Sequence, residues 1–169
     1  MCCPTRAKSV SIIVGVGFRL ATLTSATVLL YIHRSFFAQA IIEYPVNPLR
    51  SPYAGSFLAA YRASATILRT IRDHFAIQPA LCSRFWSMWT FAFSAAVSVS
   101  RSDIDLTNFL QVVFGTIVTR GPRSPLASNA MSELDQACLL FSKAAKHSHR
   151  AAKALVSNRS CQSGRIWHL

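Results

Sequence analysis

The chain has 169 residues, 51% of them hydrophobic and 14% charged, which suits one domain with an apolar core and excludes wholesale disorder. Eighteen Lys and Arg against six acids give a formal charge of +12, a balance that favours nucleic acid, anionic membrane or acidic protein partners. The cations are spread along the chain with no run of five, so a simple electrostatic tail is excluded, and five irregularly spaced cysteines argue against a disulfide framework and for a reducing intracellular compartment.

The first candidate element is Val10 to Ile32, VSIIVGVGFRLATLTSATVLLYI, long enough to span a bilayer and mostly apolar. Arg19 sits near its middle, at a cost of roughly 2.5–3.5 kcal/mol on insertion scales, and five Thr or Ser weaken it further. A buried core helix has the same length and hydropathy. A signal-peptide reading, with Arg6 and Lys8 ahead of Val10–Phe18, lacks a convincing cleavage pattern, and the lack of acids before Glu43 resembles an organelle presequence only weakly.

EYPVNPLRSPY then carries three prolines in eight residues, Pro45 to Pro52, and reads as a loop. GSFLAAYRASATILRTIRDHFAIQP is the clearest helix. Phe57, Leu58, Tyr61, Ala65, Leu68, Ile71 (or Arg72 beside it) and Phe75 recur at steps of three and four, while Arg62, Arg69, Arg72 and Asp73 fall mostly outside the stripe. Pro79 marks its end. A further helix is expected from about Leu81, LCSRFWSMWTFAFSAA, with Phe85, Trp86, Trp89, Phe93 and Ala96 as a broad aromatic face that needs burial.

A polar island, Val97–Gln111, interrupts the apolar run and holds two of the six acids. Val112–Val118 is the one stretch with a short strand-like alternation, and TRGPRSPLAS is a loop. The last helix is expected from about Asn129 to Leu155. Met131, Leu134, Cys138, Phe141, Ala145, Ala152 and Leu155 share one face, and Lys143, Lys146, Arg150 and Lys153 lie opposite. Its acids near the start and cations near the end suit the helix dipole. The fold class expected is all-α, with several amphipathic helices.

Five segments carry a resemblance: YIHRSFF at 31–37, SPYAGSFLAAYRAS at 51–64, FWSMWTFAFSAA at 85–96, TRGPRSPLA at 119–127 and SELDQACLLFSKAAKHSHRAAKAL at 132–155. Together they resemble the fungal-specific transcription factor domain, the helical regulatory region found downstream of the binuclear zinc-cluster DNA-binding module. The likeness covers residues 29–96 and 112–155 and rests on a general pattern, with no catalytic signature. It implies a partial regulatory domain over 29–155, interrupted at 97–111 and with an incomplete core, after an N-terminal segment, 1–28, of uncertain identity. Residues 156–169 read as a disordered tail.

The likeness lapses across the island. With those fifteen residues removed, the chain reads FWSMWTFAFSAAVVFGTIVTRGP, and the stripe of Trp89, Phe93 and Ala96 continues through Phe114 and Val118 as one long buried helix. The island fits a translated intron: Val97-Ser98 matches an in-frame GTAAGT donor, Thr107-Asn108 an ACTAAC branch point and Gln111 a closing CAG. Val156-Ser157 opens the tail in the same way, so a second retained donor and an ordinary disordered tail both account for residues 156–169. A truncated or misjoined N-terminus is expected on the same grounds.

A zinc cluster needs six closely spaced cysteines, and Cys2-Cys3 with three isolated cysteines do not supply them, so no cofactor and no direct DNA binding are expected of this chain. His147 and His149 are two apart on a helix and point about 200° from each other, which prevents chelation of one ion. Asp73-His74 has no accompanying nucleophile or Gly-x-Ser-x-Gly turn, so no enzyme is expected. The stripe Lys143, Lys146, Arg150 and Lys153 is the candidate basic interaction face, against a solvated face as the plain reading.

These expectations combine into a piece of a nuclear transcription regulator acting through protein partners or the missing parts of the same regulator. The rival expectation is a small basic membrane protein anchored by residues 10–32, with Phe85–Val97 too short to span alone.

Overall fold

The computed structural model describes residues 4–96, 113–146, 148–149 and 151–152. Among these residues the chain forms six α-helices and no strand, so the protein is all-α. The island 97–111 and the tail 156–169 lie outside the described residues.

Helix α1 runs unbroken from Pro4 to Glu43. Pro4 sits at the start, where its missing N–H costs nothing, and Pro45 follows the end; the sequence between holds no proline. Thr22, Thr24 and Thr27 sit in the middle without interrupting it, because each hydroxyl donates to the carbonyl four residues back, on Phe18, Leu20 and Leu23, at 3.0, 3.0 and 2.8 Å. The helix passes straight through the 28/29 junction, and Leu23, Ala26 and Thr27 are buried alongside Leu30, Phe37 and Ile41.

The proline-rich connection is a loop with one 3-10 turn, Pro48–Arg50, capped by Asn47, whose Oδ1 accepts the Leu49 N–H. The chain then reverses into α2, Ala54–Ile77. The two helices are antiparallel: Phe37 stacks on Phe57 near the loop, with centroids 5.2 Å apart, His33 Nδ1 lies 3.1 Å from Ser56 Oγ, and Arg19 acts on His74 at the far end.

The aromatic segment expected as one helix is two. Helix α3, Pro79–Arg84, stops at Phe85, and α4, Trp86–Ala96, begins directly after it. The break is held by Trp89, whose indole N–H donates to the Cys82 carbonyl at 3.0 Å, beside the Phe85 N–H that donates to the same oxygen at 3.1 Å. Trp89 is buried, as its aromatic character predicts, but Phe85 is exposed; Met88, Ala92 and Ala95 complete the buried face of α4.

The stretch with strand-like alternation is helical: α5 is Val113–Arg120, with Val113, Phe114, Ile117 and Val118 buried. Gly121 closes it. A side chain there would come within 3.2 Å of the Pro45 carbonyl oxygen and 3.3 Å of that of Ile117, so glycine lets the end of α5 meet the α1–α2 connection without displacing it.

Helix α6 is Ala127–Ala144, shorter at its C-terminus than the expected Asn129–Leu155. Ala145 and Lys146 form a turn, and Ser148 starts a new helical turn by accepting the Ala151 N–H on its hydroxyl at 3.5 Å. A serine in this place competes with the helix backbone and caps instead. The buried face of α6 is built mostly from alanines, Ala127, Ala130, Ala137 and Ala144, around Leu134, Leu140 and Phe141, while Met131, Cys138 and Ala145 are only half-buried.

Helix α2 is the centre of the arrangement and touches every other element. On one side lies α1, packed almost wholly against α2; on the other lie α4, α5 and α6. Phe57, Ala60, Ile67, Leu68 and Ile71 are fully buried between the two sides. Burying five such residues contributes on the order of 10 kcal/mol before conformational entropy is set against it.

Candidate functional site

Two residues of the candidate basic face lie among the described residues. Lys143 is exposed on the last turn of that helix, and Lys146 is exposed in the turn beyond it. Arg150 and Lys153 lie outside the described residues, as does His147, while His149 is exposed.

Polar groups gather instead at two buried seams. At the α2–α6 seam Arg72 Nη2 stands 3.9 Å from Glu133 Oε2, each residue about a quarter exposed. Burial raises the Tyr61 hydroxyl above its ordinary pKa, and the negative charge of Glu133 raises it further; the Tyr61 ring meets Phe114 edge-on at 5.2 Å. Spacing alone placed Arg72 beside the apolar stripe and gave no sign of its inter-helix partner.

At the α1–α2 seam His74 is buried. Desolvation lowers its pKa, the Arg19 charge lowers it further, and exposed Asp73 opposes both. His74 Nε2, Arg19 Nη1 and Ser64 Oγ are buried without hydrogen-bond partners, an arrangement that weakens the fold at this seam. Asp73 and His74 face different surroundings, so they form no acid–base pair. The Cys82 thiol is pushed up by burial, which makes it a poor nucleophile. Among the described residues no group of three His, Cys, Asp or Glu stands where it could hold a metal ion.

The largest feature that sequence reasoning passed over is a surface. The side of α1 away from α2 is open, and between Gly17 and Ile42 every exposed position is uncharged. Phe18, Val28, Leu29, Ile32 and Ile42 stand on it, exposed by 74%, 51%, 47%, 59% and 65%. Single exposed apolar residues are ordinary, but a continuous uncharged face is unusual in a chain of formal charge +12. The sequence of α1 is mostly apolar with no clear polar side, so it does not tell a covered face from a bare one. Arg19 and Arg34 are both half-buried and stand off this face; Arg34 lies over the Tyr31 ring at 5.3 Å. Among the described residues no helix is long and apolar enough to cross a membrane.

Comparison with family models, with curated proteins and with solved structures gave no match to this chain.

Proposed function

We propose that the protein is a partial helical regulatory domain of the fungal zinc-cluster transcription factor type, acting in transcription through protein contacts and without a DNA-binding module of its own. The observation that carries this reading is the uncharged outer face of α1, which leaves the helical core open on one side, as a domain separated from its covering elements would be. The resemblance supports it further, since the segments that carry the likeness supply much of the buried core, from Phe37 through Phe57 and Trp89 to Phe141. The reading carries a nuclear location. Fusion of the whole chain to an unrelated DNA-binding module tests it: a changed reporter output with nuclear retention is expected, and an unchanged output with cytoplasmic or membrane-bound protein overturns it.

A second reading is a membrane protein anchored by residues 10–32, and the same uncharged face favours it. Alkaline washing of a membrane fraction separates the two, because an anchored chain stays in the pellet and a regulatory module is released.

A further inference from the structure

The buried rows that join α1 to α2 each end in a nitrogen-bearing side chain. On α1 the row of Leu30, Ala26 and Leu23 reaches Arg19 one turn further on. On α2 the row of Phe57, Ala60, Ser64, Ile67 and Ile71 reaches His74. Arg19 and His74 lie eighteen and seventeen residues from the Phe37–Phe57 stack, matching lengths of two antiparallel helices, so they stand at one level of the seam. His74 is only 5% exposed and its Nε2 is unpartnered; Arg19 Nη1 is buried and unpartnered as well. We propose that Arg19 and His74 form a site for one small oxyanion of the phosphate or sulfate type, held between Nη1 of the first and Nε2 of the second. The inference stands apart from the regulatory reading and survives its failure.

Charge selects this ligand. A buried guanidinium N–H needs an acceptor, and water accepts from it but leaves the positive charge unbalanced. No carboxylate pairs with Arg19 among the described residues, and residues 1–42 hold no acid. An oxyanion supplies the acceptor and the countercharge together, and its second oxygen accepts from Nε2 once the imidazole is protonated. A metal ion is repelled by the same guanidinium. Arg19 is half-buried, so a small ion reaches the pair from solvent without the helices parting. Ser64 stands about 15 Å along α2 from His74 and takes no part.

Binding is therefore linked to a proton. Among the described residues the charges that act on His74 are Arg19 of α1, which disfavours the imidazolium, and exposed Asp73 of its own helix, which favours it; α3, α4, α5 and α6 bring none. A bound dianion outweighs Arg19 and favours the imidazolium. Binding thus takes up a proton, and affinity rises as pH falls through the folded pKa of His74. Acid weakens the free chain at this seam and strengthens the complex.

The test uses the full chain with sodium sulfate as the probe, at an ionic strength held constant with sodium chloride. Sulfate stays a dianion throughout, so any proton taken up belongs to the protein. In an NMR titration of the His74 ring, assigned by His74→Gln, the proton is expected to bind roughly tenfold more tightly with sulfate than without. Arg19→Gln is expected to weaken sulfate binding by roughly tenfold or more, and Arg69→Gln, which removes an exposed cation of α2, to leave it unchanged. Arg19→Lys keeps the charge without the planar fork; it is expected to bind sulfate more weakly than the wild type and serves if Arg19→Gln does not fold. A His74 titration moved by sulfate assigns the site to a free ion, and one moved only by micelles of a short-chain phosphatidylglycerol assigns it to a lipid headgroup. A titration that neither moves, or a sulfate effect of equal size in Arg19→Gln and the wild type, overturns the proposal.

Discussion

The indole N–H of Trp89 donates to the Cys82 carbonyl at 3.0 Å, so a single side chain both fills the core and fixes the break between α3 and α4. The Phe85 N–H also donates to that carbonyl, at 3.1 Å, so it is not orphaned when the indole is lost. Trp89→Phe is therefore expected to cost about 1–2 kcal/mol, the net value of one hydrogen bond with a small packing loss. Trp89→Ala is expected to cost about 3–5 kcal/mol, through the cavity it leaves. Urea unfolding of the two variants beside the wild type measures both, and a Trp89→Phe chain as stable as the wild type would mean the hydrogen bond contributes nothing.

His74 makes stability depend on pH. Its folded pKa lies below the ordinary value of 6.5, because burial and the Arg19 charge disfavour the imidazolium. The unfolded chain therefore binds the proton first as pH falls. The contribution is fully present above about pH 6.5 and is lost as pH drops from there through the folded pKa. Unfolding midpoints measured across that window should fall toward acid. His74→Leu should flatten this part of the profile, and Arg19→Gln should shift it in the direction of a higher folded pKa.

Two glycines should respond oppositely to alanine. Gly121 has carbonyl oxygens 3.2 and 3.3 Å from where its Cβ would stand, so backbone must shift by a few tenths of an ångström to admit one, and Gly121→Ala is expected to destabilise by about 1–3 kcal/mol. Gly55 faces open space on the first turn of α2, so Gly55→Ala is expected to stabilise by up to about 0.5–1 kcal/mol. Thermal melts of the pair read the difference in sign.

Removing the charge of Glu133 should be felt at Tyr61. Glu133→Gln takes away one of the two causes that hold the Tyr61 hydroxyl high, so its pKa is expected to fall toward the ordinary value. Absorbance titration of tyrosinate, with Tyr61→Phe to assign the signal, follows it. The lost pairing with Arg72 is expected to cost up to about 1 kcal/mol.

Excision of residues 97–111 joins Ala96 to Val112 and brings the buried Ala95 and Phe114 four positions apart, with Ile117 and Val118 one turn further on. The shortened chain is expected to gain helix and resist urea better than the chain as written. Circular dichroism reads the first and a denaturation curve the second; in transcripts, reads joining Ala96 directly to Val112 are the corresponding observation.

Much of the fold was legible because large apolar residues at helical spacing leave a clear trace. Helix α2 follows from Phe57, Leu68, Ile71 and their neighbours, and the loops follow from Pro45, Pro52, Gly121 and Pro122. Other features were hidden for physical reasons. Ala130, Ala137 and Ala144 let helices approach closely, yet alanine is weakly apolar and its spacing attracts no notice. The α3–α4 break depends on one indole reaching back seven residues, a contact that no periodicity records. The end of α6 turns on Ser148 capping a new turn in preference to continuing the old one. The open face of α1 was masked because an apolar helix reads the same whether its far side is covered or bare.

Since α2 touches all the other helices, the packed body of the described structure cannot come apart without engaging it. Amide hydrogens in its middle, around Ile67 and Leu68, should therefore exchange with deuterium only when the whole chain comes apart. Those on the early turns of α1 lie beyond the level of Arg19 and His74, past the reach of that central helix, and should exchange through local fraying at a far faster rate.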